Sequence, residues 1–208
     1  MKILKRFIIV FLLLITYIII SAISYVSAVS NNISNSVFRL HVIANSDSCE
    51  DQNLKYLVRN ELINYMNSLT QNISSKELAI EIAKQHKDDF YKIAKQTIIN
   101  NGFNYDVNIE IGNFFFPTKN YGDISFPSGY YDSIKVEIGN AAGQNWWCVM
   151  FPPLCFVDMS TGIVPNESKD LIQDNLHQEE FALISEHNNS NINFKFKLIE
   201  FFYNNKIL

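Results

Sequence analysis

Charge is scarce in this 208-residue chain: Asp, Glu, Lys and Arg make up 18% of it and the formal net charge is -4. Such a composition lacks the concentrated positive field that attracts phosphates, so nucleic acid is not an expected partner. There are 7 glycines, and none belongs to a Gly-rich phosphate cradle. His41, His86, His177 and His187 are scattered, and no Cys-x-x-Cys or His-x-x-x-His spacing occurs, so no metal is expected. No nucleophile elbow is recognisable and no internal repeat is visible. Neither a cofactor nor a small-molecule substrate is expected. The hydrophobic share of 48% suffices for one core and one domain of ordinary size.

The most directive feature is at the N-terminus. Lys2, Lys5 and Arg6 precede an apolar run over residues 7–20, the pattern of a signal peptide with a basic n-region and a hydrophobic h-region. Val26-Ser27-Ala28 then offers small or short side chains where a signal peptidase reads them, and the expectation is a cut after Ala28. Retention as a transmembrane anchor is the alternative, because residues 7–29 are long enough to span a bilayer. In both cases positive charge stays inside, which places the chain beyond about residue 30 outside the cytoplasm.

Residues 1–28 are therefore read as signal peptide or anchor, 29–36 as an Asn/Ser-rich spacer, 37–158 as the main domain and 159–208 as a C-terminal extension. Residues 37–43 alternate, with Phe38, Leu40 and Val42 on one face and Arg39 and His41 on the other, the mark of a half-buried strand. Asn45-Ser46-Asp47-Ser48 forms a turn and helix start, and Leu54, Val58, Leu62, Tyr65 and Leu69 follow at helical spacing. A second helix is expected from Ser74, where Ser74 and Glu77 make a capping box, through Leu78, Ile82, Phe90, Ile93 and Thr97 to Asn100-Asn101-Gly102.

From Val107 the period changes to two. Val107, Ile109 and Ile111 make one strand and Ile134, Val136 and Ile138 another, joined through a hairpin at residues 139–143 to a third, Asn145-Trp146-Trp147-Cys148-Val149-Met150, expected to be central or sheet-buried. Short helical patterns follow around residues 171–176 and 179–184, and Phe194, Phe196 and Leu198 suggest a last strand. The fold class expected is α+β: a single two-layer domain with a mostly antiparallel sheet and two helices inserted between strands 1 and 2.

Three cysteines, Cys49, Cys148 and Cys155, leave at least one unpaired within the chain. Cys148 and Cys155 flank Pro152-Pro153 and are read either as two strand-buried thiols or as a disulfide closing that turn. A Cys/His hydrolase, with Cys148 as nucleophile and His41 as base, is the enzyme alternative, since an imidazole generates a thiolate at neutral pH. Arg39 and His41 share a strand face that leads into the Asn45-Ser46-Asp47 turn, and are read either as a recognition patch or as a solvated strand face. The stretch from Phe114-Phe115-Phe116-Pro117 through Tyr121 to Phe126-Pro127 makes a long aromatic loop, either packed over the sheet or offered to a partner.

Several segments, in order, resemble one known family. They are Arg39-Leu40-His41-Val42-Ile43-Ala44-Asn45-Ser46-Asp47-Ser48 with Glu50-Asp51-Gln52, then Glu110-Ile111-Gly112-Asn113, Phe116-Pro117-Thr118-Lys119, Tyr121-Gly122 and Pro127-Ser128-Gly129. Most distinctive is Asn145-Trp146-Trp147-Cys148-Val149-Met150-Phe151-Pro152-Pro153-Leu154-Cys155-Phe156-Val157-Asp158. The pattern is similar to that of the stage II sporulation protein R family, over residues 37–158, and departs from it at Cys49 and Tyr130. The resemblance implies an exported forespore signal that is not an enzyme. Its partner would be a membrane-embedded, aspartic-protease-like receptor of the mother cell, which processes the precursor of an early mother-cell sigma factor. On this reading the candidate recognition residues are Arg39, His41, Asn45, Asp47, Phe116, Pro117 and Tyr121.

Overall fold

The computed structural model describes residues 2–71, 73–155 and 164–185. Helix α1, Lys2–Asn35, is continuous, so the stretch read as a spacer is helical up to Asn35. Its last turns belong to the core: Val29 and Ile33 are buried. Strand β1, Phe38–Ile43, follows at once.

Three helices, not two, separate β1 from the next strand. Helix α2, Cys49–Leu69, starts at Ser48, whose side chain accepts the Asp51 N–H, with Glu50 and Asp51 in its first turn; acidic residues there suit the helix dipole. The expected second helix is two, α3 (Lys76–Gln85) and α4 (Lys87–Asn100). Its N-cap is Ser75, one residue beyond the expected position. The break falls at His86, the C-cap of one helix and N-cap of the other. Tyr65 Oη lies 2.9 Å from His86 Nδ1 and 3.2 Å from Asp89 Oδ2, which ties the corner to α2. Asp88 and Asp89 in the first turn of α4 are a helix-start signal embedded in what reads as one continuous period.

Strands β2 (Val107–Phe116), β3 (Lys119–Tyr121), β4 (Ile124–Phe126), β5 (Gly129–Ile138) and β6 (Asn145–Phe151) complete the sheets. The main sheet is mixed, with order β2-β5-β1-β6: β1 is parallel to β5 and antiparallel to β6, and β2 is antiparallel to β5. The expected hairpin between β5 and β6 does not form, because β1 lies between them. Strand β6, expected to be central or sheet-buried, is an edge of this sheet among the described residues, with Cys148, Val149, Met150 and Phe151 buried. β3 and β4 form a separate two-stranded hairpin. Helices α5 (Asn166–Gln173) and α6 (Gln178–Ser185) follow; the suggested strand at residues 194–198 lies outside the described residues.

Side chains alternate across the sheet. On one face Leu40 and Val42 of β1, Ile134, Val136 and Ile138 of β5, and Val107 and Ile109 of β2 are buried together with Val58, Leu62 and Met66 of α2 and Phe90, Ala94 and Ile98 of α4. Burying each of the larger aliphatic side chains contributes about 1.5–3 kcal/mol. The opposite face carries Arg39, His41, Lys135, Glu137, Glu110 and Trp147 by the same register.

Candidate functional site

That second face is divided in two. Toward the start of β1 it is roofed by the aromatic loop, residues 117–128, and there Arg39 is fully buried. Its guanidinium carbon lies 4.2 Å from the Phe116 ring centroid, 4.6 Å from Tyr131, 5.8 Å from Phe126 and 5.9 Å from Tyr121. Desolvated cation–π contacts at such distances are worth about 2 kcal/mol each. Nη2 donates to Tyr121 Oη at 2.8 Å, and Tyr121 donates onward to the Trp147 carbonyl at 3.1 Å; among the described residues Nε and Nη1 have no hydrogen-bond partner. Burial pushes the Tyr121 phenol up, so it stays protonated as the link between the two strands. Arg39, Phe116 and Tyr121 therefore hold the loop on the sheet instead of presenting a patch, and Pro117 is half-buried beside them.

Toward the far end of β1 the face opens. His41 stacks on Trp147, ring centroids 3.5 Å apart, and its Nε2 lies 2.7 Å from Asn145 Oδ1. Burial lowers its pKa to about 4, against the raising effect of the Asn145 hydrogen bond, so the imidazole is neutral at physiological pH. Beside it Lys135 pairs with Glu137 at 2.5 Å and Asn108 donates to Glu137 at 3.0 Å. The pair and its hydrogen bonds hold the Glu137 carboxyl below its usual range. Asn108, Glu110 and Asn145 are exposed, while Lys135, Glu137 and Trp147 are half-buried. Together they form a polar strip with an aromatic floor.

Asn45 and Asp47, the other expected recognition residues, build a lock. Asn45 Oδ1 accepts the Asn140 N–H at 2.9 Å and its Nδ2 donates to Asp51 Oδ2 at 2.8 Å; Asp47 Oδ1 accepts the Gln144 N–H at 2.8 Å. Ser46 Oγ donates to Asp51 at 2.5 Å, and the backbone N–H groups of Ala142 and Gly143 bond the carbonyls of Asn45 and Ala44. Burial raises the Asp51 carboxyl, yet hydrogen bonds from Ser46, Asn45 and Tyr105 outweigh it and hold the group below its ordinary value. The lock pins the connection that carries the chain from β5 over the end of β1 to β6. Backbone geometry demands glycine there: Gly139 has φ +57°, and a Cβ on Gly143 would lie 2.2 Å from the Ser46 carbonyl oxygen.

Cys148 and Cys155 form a disulfide, Cα atoms 5.1 Å apart, across the turn at Pro152-Pro153; Cys49 is free and exposed. The Cys148–His41 hydrolase arrangement fails on two counts. The sulfur is not a thiol, and Cys148 pairs with Leu40 while His41 pairs with Trp147, which places the two side chains on opposite faces. Among the described residues, no group of three or more His, Cys, Asp or Glu side chains could hold a metal ion.

The family model for stage II sporulation protein R matches residues 34–161, more than half of the chain and including the aromatic cage, the Asn45 lock and the disulfide. The chain belongs to the stage II sporulation protein R family. It is 38% identical over 138 residues to stage II sporulation protein R of Bacillus subtilis (strain 168), an alignment covering 66% of this chain and 62% of that protein. The aligned part is thus about 62% of the relative's length. No solved structure matches. Membership in the family ties the chain to sporulation. Helix α1, long and apolar enough to cross a membrane, is compatible with a signal sequence or a membrane anchor.

The strip around Trp147 was missed as a unit from sequence because its members come from three strands, β2, β5 and β6, brought side by side only by the β2-β5-β1-β6 order. The available signal was the run of polar residues alternating with aliphatic ones in β2 and β5.

Proposed function

We propose that this protein is an exported sporulation signal. Its domain is delivered from the forespore into the space between forespore and mother cell. There it binds a membrane-bound, aspartic-protease-like receptor and biases it toward cleaving the precursor of an early mother-cell sigma factor. Family membership over residues 34–161 carries this reading. Two features support it: an N-terminal apolar helix behind basic residues, and a disulfide, a bond that persists in oxidising compartments outside the cytoplasm. The protein acts as a ligand, which requires only that it bind the active receptor state more tightly than the inactive one.

The recognition surface in this proposal is the polar strip, Asn108, Glu110, Lys135, Glu137, Asn145 and the edge of Trp147, because Arg39, His41, Phe116 and Tyr121 are buried and Asn45 and Asp47 are engaged in holding the β5–β6 connection. The test is reconstitution in a non-sporulating bacterium of receptor protease, sigma-factor precursor and this protein. Cleavage is expected only when the protein is exported. Asn108→Lys combined with Glu110→Lys should lower cleavage by about tenfold in variant protein shown to be folded, since misplaced charge at an interface costs kilocalories. Cleavage indifferent to the protein's presence would overturn the reading.

A further inference from the structure

Helix α1 does not stop where a signal peptide would be cut. It runs unbroken from Lys2 to Asn35, and neither glycine nor proline occurs before Gly102, so nothing in the covalent chain interrupts a helix between the apolar run and the domain. A signal peptidase reads the residues one and three before the bond it cuts. Residues two apart share a side only in extended backbone, and here the backbone around Ala28 is helical. Immediately beyond Ala28, Val29 is 8% exposed, Ser30 3% and Ile33 0%; these are core positions, not a stalk.

Polar contacts bind the same turns. Asn32 Nδ2 donates to Glu180 of α6 at 2.6 Å, and the Ser34 carbonyl accepts from Lys76 Nζ at 3.3 Å. Lys76 is itself buried and paired with Asp132 of β5 at 2.7 Å. A cation at the carboxyl end of α1 also complements its dipole.

Dimensions fix where the domain begins. Residues 7–25 of a helix rise roughly 28 Å, close to the hydrocarbon thickness of a bilayer, and Tyr25, 64% exposed, falls at the level where tyrosines favour the interface. Val29 is roughly 6 Å further along the axis, within the head-group layer of about 5–8 Å. A groove at this level, lined by Tyr25, Ala28, Val29, His177 and Glu179, shows α6 flanking α1 already there.

We propose that α1 is retained as one continuous anchor and that the sheet domain stands directly on the outer lipid surface with no linker between them. The occupant of the exposed apolar face of α1 is the bilayer. Retention does not depend on the signalling reading.

The test exports the full chain from a bacterium and measures its intact mass and membrane association. A second protein carries a flexible ten-residue Gly/Ser insertion between Ala28 and Val29, which frees the bond from the helix. In both, alkylation before reduction should reach only Cys49, which certifies the fold. The natural chain should keep residues 1–28 completely and stay in the membrane fraction, while the insertion variant should lose them and be released. Loss of residues 1–28 from the natural chain would overturn the proposal. Retention in both proteins would also overturn it, because continuity of α1 would then not be what preserves the anchor. Precursor cleavage is not scored, so neither result bears on signalling.

Discussion

Replacing Asn45 with alanine separates the two roles this residue could have. The substitution removes the acceptor for the Asn140 N–H and the donor to Asp51. Asn140 is exposed, so water replaces the first bond at small cost. Asp51 is buried, so the second bond is one to a buried charge. With about 1.5–3 kcal/mol for that bond and up to about 1 kcal/mol for the other, the expected loss is about 2–4 kcal/mol. For a chain of this size that is about 5–15 °C in Tm. Because the folded Asp51 carboxyl sits below its unfolded value, its stabilising contribution is present above the unfolded carboxylate pKa of about 4 and fades as pH falls through the folded one. The difference between Asn45→Ala and the natural chain should therefore be full at pH 7 and shrink toward pH 2. Asn45→Asp should cost at least as much at pH 7, since it sets a second carboxylate against the first. Urea unfolding at several pH values measures all of this. An Asn45→Ala protein within about 0.5 kcal/mol of the natural one, yet inactive in precursor cleavage, would refute the lock and return Asn45 to the recognition surface.

Other expectations are as direct. Reducing the disulfide, whose sequence separation is 7, should destabilise by about 2.5 kcal/mol on the loop-entropy model, and alkylation should count one thiol before reduction and three after. His41 is held neutral in the fold with a pKa of about 4. Its contribution is thus fully present above the unfolded value near 6.5 and is lost as pH falls from there through 4, an effect of about 2 kcal/mol after allowance for solvent screening. His41→Phe should flatten that part of the stability–pH curve. Lys76→Ala leaves Asp132 and the Ser34 carbonyl without their cation; with Asp132 a third exposed, the cost should fall near about 2–3 kcal/mol in denaturant unfolding.

What was legible in the sequence was local. The periods of β1, α2, β2 and β5 stand in the chain as apolar residues two or 3.6 apart, and each element lies where its period places it. Two kinds of information were not local. A charged residue in an alternating strand reads as solvent-facing, and Arg39 is buried because a hairpin some 80 residues later, Tyr121 above all, covers it with aromatic rings. The density of Phe and Tyr between residues 114 and 131 was the available signal for that cover. Strand order was also out of reach: residues 139–143 look like a hairpin turn from inside, and only Asn45 and Asp47, reaching from the end of β1, reveal that the turn is a bridge over another strand. The same non-locality explains the polar strip, whose residues are unremarkable one by one.

The pairing of Leu40 with Ile134 has a consequence for the order in which a chain crossing a membrane can fold. The first strand to emerge is the middle of the sheet, and its parallel neighbour arrives more than 90 residues later. Until then both flanks of β1 carry unpaired amides and carbonyls, an invitation to pair with other chains. Contacts of such long range make for slow folding. An export-coupled chaperone, or the early packing of α2 and α4 against β1, would have to shelter this strand for as long as the rest of the domain takes to pass through.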